Sequence, residues 1–247
     1  MKNKSIILII PFIYFLLFNS NVKAQILLVP EIIQEQNQWC WAGVSKCVLD
    51  YYGTSVQQCV IAEYTRNTAT FNNFGLINCC LDPNQGCNYW NYNWGSSGSI
   101  EDILSNFGGI TTTNSGSTLS QSQWQSEMTN NTPFIIRIGW NGGGGHFVVG
   151  YGKVGSDYYT MDPWFNEGYT ISTYNWIVTG QGGSGSWTHT QTLSPSPNLS
   201  GISSINKYRK ILIKTTDLLG REIVPKSNTP FIEIYDDGSV EKKVIIE

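Results

Sequence analysis

The nine tryptophans, six cysteines and both histidines of this chain all lie between Gln25 and Leu199. Tryptophan buries the most surface of any side chain, and cysteine supplies the covalent ties between distant segments. The main core must therefore be built inside that stretch. Ahead of it come Lys2 and Lys4, an apolar run from Ile6 to Phe18, and Val22-Lys23-Ala24 just before Gln25. That is the three-part pattern of a secretory signal peptide. A membrane-spanning reading is weaker, because Pro11 interrupts a run shorter than the roughly 20 apolar residues a bilayer requires. Residues 1–24 are expected to be removed on export, and no second such run predicts a membrane span in the mature chain.

Charge divides the chain at the same boundary. Between Gln25 and Leu199 only Lys46, Arg66, Arg137 and Lys153 stand against eleven acidic residues, a balance of −7, whereas eight of the fifteen basic residues lie beyond residue 200. Such a surface repels phosphate backbones, so nucleic acid is not an expected partner. The scarcity of basic residues also predicts that acidic substrates are disfavoured. Few charges with many Asn, Gly, Ser, Thr and Trp suit a rigid, folded extracellular protein, since disorder goes with high charge and low hydrophobicity.

Export puts the six cysteines in an oxidising compartment, where three disulfides are the default. Cys40 and Cys47 fall on one helical pattern, and seven residues of helix span about 10 Å, beyond the roughly 7 Å limit for bridged Cα atoms. Cys79 and Cys80 are neighbours and poor partners for each other. The expected framework joins Cys59, Cys79, Cys80 and Cys87 in two bridges and leaves Cys40 and Cys47 free. Zinc at the Cys79-Cys80 to Cys87 segment is disfavoured, because metal binding competes poorly with oxidation outside the cell.

Apolar residues at Trp41, Val44, Val48, Tyr51 and Tyr52 follow a helical period that ends at Gly53, placing Cys40 at a helix N-terminus. A second helix is expected from Ser55 or Gln57 to Tyr64, and short helices after the N-cap serines Ser99 and Ser120. The stretch from Asn72 to Ser99 reads as a long loop held by disulfides. Then the period changes: 133–140, 146–151, 157–162 and 169–174 are β-rich runs separated by Gly or Asn turns, and 187–193 is a further strand. Helices followed by an antiparallel sheet predict an α+β fold. Gly142 to Gly145 precede a strand and lack a following Lys-Ser/Thr, so they are no phosphate loop and instead offer a flexible approach to His146.

A cysteine nucleophile attacks as thiolate, and a helix N-terminus beside an imidazolium supplies the stabilising positive potential. Cys40 has the first by position. Of the two histidines, His146 leads a strand behind the glycine run, while His189 sits in an alternating polar strand. An acyl-transfer site also needs oxyanion donors, for which Gln34, six residues before Cys40, is the candidate; Gln36 and Gln38 have other offsets.

Gln34, then Trp39-Cys40-Trp41-Ala42 opening a helix, then Gly145-His146-Phe-Val-Val-Gly-Tyr, then Asp162-Pro163-Trp164 resembles the papain-like cysteine protease clan. Within it the chain is most similar to bacterial relatives of bacteriocin-processing peptidases and plant-pathogen effector proteases, over about Gln25 to Leu193. The resemblance implies a papain-like fold and a polypeptide substrate. It implies Cys40 as nucleophile, His146 as base and acid, Asp162 orienting the histidine, and Gln34 with the Cys40 N–H binding the oxyanion. Asp157 and Asn166 are weaker candidates for the orienting role, and Trp164 for covering the His-Asp pair. No cofactor is implied, and the chain is expected to act as a monomer. No papain-length inhibitory segment fits between Gln25 and Gln34.

Residues 194–201, with Ser194-Pro-Ser-Pro-Asn, read as an extended linker. Beyond it, 202–247 alternates in hydrophobicity and predicts a small all-β module. Its Thr216-Asp-Leu-Leu-Gly-Arg-Glu and Ile234-Tyr-Asp-Asp-Gly-Ser-Val-Glu-Lys-Lys-Val resemble the C-terminal sorting domain of the Por, or type IX, secretion system of Bacteroidetes. That implies passage through the periplasm with the type IX machinery as partner, and an extracellular or cell-surface destination. Two rivals share these features. One is a cell-wall peptide hydrolase or transamidase of the same chemistry, and the other is an inactive surface binding module.

Overall fold

The computed structural model of the protein describes residues 25–194, 212–235 and 240–245. The expected signal peptide, and the linker beyond Ser194, lie outside the described residues.

Helix α1 (Cys40–Tyr51) buries almost every side chain, which is the pattern of a helix inside a core rather than on its surface. It ends as the sequence predicts, with Gly53 in the left-handed region at φ 86°. Helix α2 (Gln58–Thr68) continues four residues beyond its expected end at Tyr64. Helices α3 (Ile100–Gly108) and α4 (Gln121–Thr129) follow Ser99 and Ser120 as expected. Only Ser120 completes a capping box, with Gln123. The Ser99 hydroxyl has no partner, and the first turn of α3 is held instead by Asp102, whose carboxylate accepts the Gly98 N–H at 2.7 Å.

One seven-stranded antiparallel sheet holds the second half together. With β1 (Gln25–Ile26), β2 (Thr111–Ser115), β3 (Phe134–Trp140), β4 (Gly145–Val154), β5 (Asp157–Asp162), β6 (Gly168–Thr173) and β7 (Gly185–Ser194), its order is β2-β7-β3-β4-β5-β6, and β1 pairs with β4. Strand β4 is central and buried along nearly its whole length, because α1 and α4 pack against it. Trp41, Val44 and Val48 of α1 share one apolar cluster with Ile135, Val148 and Val149 of the sheet. The arrangement is the α+β class expected, with helices first and the antiparallel sheet after them.

Two further features depart from the sequence reading. Strand β2 has no apolar alternation and forms only because an edge of β7 is free to pair with it. Tyr174, expected to close a strand, opens helix α5 (Tyr174–Val178), since the Thr173 hydroxyl accepts the Trp176 N–H and caps it. Among the later described residues, β8 (Leu212–Thr216), β9 (Phe231–Tyr235) and β10 (Val240–Lys243) form a separate three-stranded antiparallel sheet. No helix among the described residues is long and apolar enough to cross a membrane.

Candidate active site

Cys40 is the first residue of α1, so its backbone N–H has no acceptor within the helix and points outward with the positive end of the helix dipole. The two residues that flank it fix that helix end. Trp39 and Trp41 are both fully buried, and their indole N–H groups donate to the carbonyls of Cys87 at 2.8 Å and Tyr89 at 2.9 Å. Those carbonyls belong to the irregular loop, which the disulfides Cys59–Cys80 and Cys79–Cys87 hold in shape. The four cysteines expected to bridge do so, leaving no thiolate there for zinc, and Cys40 and Cys47 are free.

His146 is the second residue of β4, reached through a turn in which Gly143 and Gly144 have positive φ. Asp162 closes β5, the neighbouring strand, and the register Val149 opposite Met161 brings the two side chains together. The His146 Nε2 donates to the Asp162 Oδ1 at 2.6 Å. Two more donors converge on the same carboxylate: the Trp164 backbone N–H at 2.8 Å and the Gln181 side-chain amide at 2.9 Å. Gln181 is held in the left-handed region, φ 55° and ψ 57°, within the glycine turn at 180–183. Nothing in the local sequence singles it out, and only the turn of a Gly-Ser-rich segment back over the sheet brings it in.

Cys40 lines the same cleft as His146, and its interaction with the ring favours the charged imidazolium. With Nε2 committed to Asp162, Nδ1 is the nitrogen left for the thiol. Burial opposes charge on His146, but the Asp162 hydrogen bond and the adjacent Cys40 outweigh it and push its pKa up to about 10. Burial alone would raise Asp162; the hydrogen bond and charge of His146, with the donors from Trp164 and Gln181, hold it below the ordinary carboxylate value. The helix and the sheet are locked together at this point. A Cβ on Gly43 of α1 would lie 2.7 Å from the Pro163 Cβ, and the Gln34 N–H donates to the Pro163 carbonyl at 2.7 Å. Gly43 thus lets the Asp162-Pro163 segment lie directly on the helix that carries Cys40.

Cys40, His146 and Asp162 line one open cleft of about 650 Å³. Five of the nine tryptophans line it too: Trp41, Trp90, Trp140, Trp164 and Trp176. Trp140 lies parallel to the His146 ring at 6.2 Å, and Trp164 meets it edge-on at 6.1 Å. Trp164 is 43 % exposed, so it is a cleft wall and not a core residue. Gln34 is fully buried and does not line the cleft. Its amide donates to the Gln36 carbonyl at 2.8 Å, and its Oε1 has no partner. Gln38 does line the cleft. His189 lies outside it, bonded to Thr188 and edge-on to Trp94, and Asp157 and Asn166 are exposed and off the cleft wall.

Residues 26–195 match the model of the Peptidase_C39 like family. Among solved structures the chain is similar to the peptidase domain of Streptococcus ComA, a bifunctional ABC transporter involved in a quorum-sensing pathway. That match has 16 % identity, covers 67 % of this chain and 97 % of that one, and has a TM-score of 0.45. A double-glycine motif protease from an AMS/PCAT transporter, in complex with the leader peptide, matches at 18 % identity over 70 % and 95 % of the two chains, TM-score 0.43. A C39-like peptidase from Bacillus anthracis matches at 16 % identity over 70 % and 99 %, TM-score 0.47. No curated protein sequence matches the chain.

Proposed function

The chain belongs to the Peptidase_C39 like family and is a cysteine-type peptidase, and from that premise we propose that it is an exported endopeptidase acting through a thioester acyl-enzyme. The observation that carries the mechanism is that the helix-end thiol of Cys40 and the hydrogen-bonded pair of His146 and Asp162 line one open cleft.

In this reading His146 holds the Cys40 proton, and the thiolate adds to the scissile carbonyl carbon. Collapse of the tetrahedral adduct breaks the C–N bond, and His146 returns the proton to the leaving amine. Water, deprotonated by His146, then hydrolyses the thioester. Asp162 keeps Nε2 protonated, so Nδ1 is the nitrogen that exchanges protons with Cys40. The Cys40 N–H is one oxyanion donor. Gln34 is the proposed second donor: Gln36 takes one of its two amide N–H groups and leaves the other, from a side chain that is buried behind the cleft wall. Gln38 on the cleft wall is its competitor, and loss of kcat without a rise in KM in Gln34→Ala, but not in Gln38→Ala, distinguishes them.

The proposed organisation is a signal peptide at 1–24, the peptidase at 25–193, a linker at 194–201 and a type IX sorting module at 202–247. Monomeric protein would act outside the cell or at its surface on polypeptides, without a cofactor. The test is hydrolysis of unfolded casein and of cell-wall peptides by mature protein in mild reductant, with Cys40→Ala alongside. Casein cleavage that is lost in Cys40→Ala and blocked by an epoxide forming one adduct at Cys40 supports the reading. A natively exported protein whose Cys40 is disulfide-bonded and inert sinks it.

A further inference from the structure

The cleft contains one cation that the catalytic reading does not use. Arg137, one of only four basic residues between Gln25 and Leu199, lies on β3 and lines the cleft beside Cys40 and His146. It is half-buried, and its guanidinium donates to the Thr188 hydroxyl and to the Gly144 carbonyl, each at 3.0 Å. Among the described residues it makes no ion pair: Asp162 is held by His146, and Glu167, the other carboxylate on the wall, does not reach it. Two glycines make room for it. A Cβ on Gly145 would come within 2.8 Å of Nη2, and one on Gly139 within 3.1 Å of Nη1. The residue immediately before His146 is thus a glycine where a larger one would push the guanidinium away. Two neutral acceptors leave donors of the five-donor fork for a ligand, and a half-buried cation binds a carboxylate more strongly than one in bulk water.

We propose that Arg137 is a specificity-determining residue that binds a carboxylate of the substrate, from an acidic side chain near the scissile bond or from a free C-terminus. The inference rests on the peptidase reading and reverses the expectation, drawn from the scarcity of basic residues, that acidic substrates are disfavoured: the site concentrates one of the few cations where substrate lies. Arg137 also interacts electrostatically with Cys40, so the test must separate the two roles.

The experiment takes peptides that the mature enzyme releases from casein and compares synthetic pairs carrying Glu or Gln at each position flanking the cut, and a free or amidated C-terminus. The Glu and Gln pairs read the side-chain source, and the terminal pairs read the chain end. At low salt the preferred acidic member should have kcat/KM about tenfold above its neutral match. The ratio should fall toward one in Arg137→Gln, recover in part in Arg137→Lys, and shrink as salt is raised. A melting temperature and circular-dichroism spectrum like those of wild type show that Arg137→Gln is folded. The same pairs titrated into Cys40→Ala, read by the cleft tryptophans' fluorescence, measure the preference without turnover, so a failure of the peptidase reading stays distinct from a failure of this one. No acidic preference in binding, a preference that survives in Arg137→Gln, or an equal fall for both members of each pair overturns the inference.

Discussion

The two walls of the cleft are held in place by different forces. On one wall Cys40 stands at a helix end whose flanking indoles lean on the carbonyls of Cys87 and Tyr89, in a loop with no regular structure beyond the single 3-10 turn Pro83–Gln85. On the other, His146 and Asp162 stand on neighbouring antiparallel strands, positioned by the backbone ladder itself. The nucleophile's wall therefore depends on covalent crosslinks, while the base's wall depends on strand register. A strong reductant attacks the first and leaves the second intact, even though the enzyme needs its nucleophile reduced.

The largest effects come from breaking the line that joins the walls. Cys40→Ala or His146→Ala should lower kcat/KM by at least about a thousandfold, measured on the best casein-derived peptide, with little change in melting temperature for Cys40→Ala. Asp162→Asn should cost about a hundredfold or more and leave a pH signature. The Asp162 hydrogen bond helps to hold His146 up at about 10 against burial. Its loss should lower that value and move the alkaline limb of the kcat/KM profile to lower pH. Stability follows the same sign. A histidine whose pKa is raised on folding contributes stability that is fully present below its unfolded value of roughly 6.5 and is lost as pH rises toward about 10. Melting curves across that window should fall more steeply for wild type than for Asp162→Asn.

The next largest test sets the two disulfides against each other. Cys59–Cys80 closes 21 residues and Cys79–Cys87 closes 8. Loop entropy makes the longer bridge the greater stabiliser, about 3 kcal/mol against about 2.5. Activity should reverse that order. Replacing the Cys79–Cys87 pair with serines frees the carbonyl that holds Trp39, and should reduce kcat/KM about tenfold in folded protein, more than loss of Cys59–Cys80 does. Equal activity losses would show that the loop acts only through global stability.

On the sheet wall, Gln181→Ala should cost up to about tenfold in kcat, with KM nearly unchanged. Removing a donor that holds Asp162 below the ordinary carboxylate value should also move the acid limb of the profile upward, which a merely structural loss would not do. The smallest effect belongs to Cys47, on the same helix as Cys40. Burial, with the Asp50 charge, raises its thiol strongly, and the thiol donates to the Pro30 carbonyl at 3.3 Å. Cys47→Ser should retain full activity and cost about 1 kcal/mol, and native protein treated with a thiol alkylator should carry one adduct, at Cys40.

Much of this arrangement was legible in the residues. The period through Trp41, Val44 and Val48 places Cys40 at a helix start, and the β-rich runs place His146 and Asp162 on consecutive strands. One helix holds Cys40 and Cys47 about 10 Å apart, which excludes their pairing. Strand β2 was not legible, because Thr111–Ser115 carries no alternation and is shaped by its partner. The cap at Thr173 was legible in principle, as a threonine ahead of Tyr-Asn-Trp-Ile-Val, but the β-rich run before it hides the signal. Gln181 and Arg137 carry no local sign of their roles. Gln181 lies 19 residues from its partner Asp162, and Arg137 lies 51 from Thr188.

By itself the sequence determined the order of helices and strands, the free and bridged cysteines, and the order of Cys40, His146 and Asp162. Each of these follows from local steric preference, from period, or from the reach of a short segment. Only the tertiary structure decided which side chains share the cleft: the five tryptophans, Gln181 over Asp162, and Arg137 in its glycine cradle. Those contacts join residues far apart in the chain, and their energies exist only once strand register and the disulfide loop have closed the distance between them.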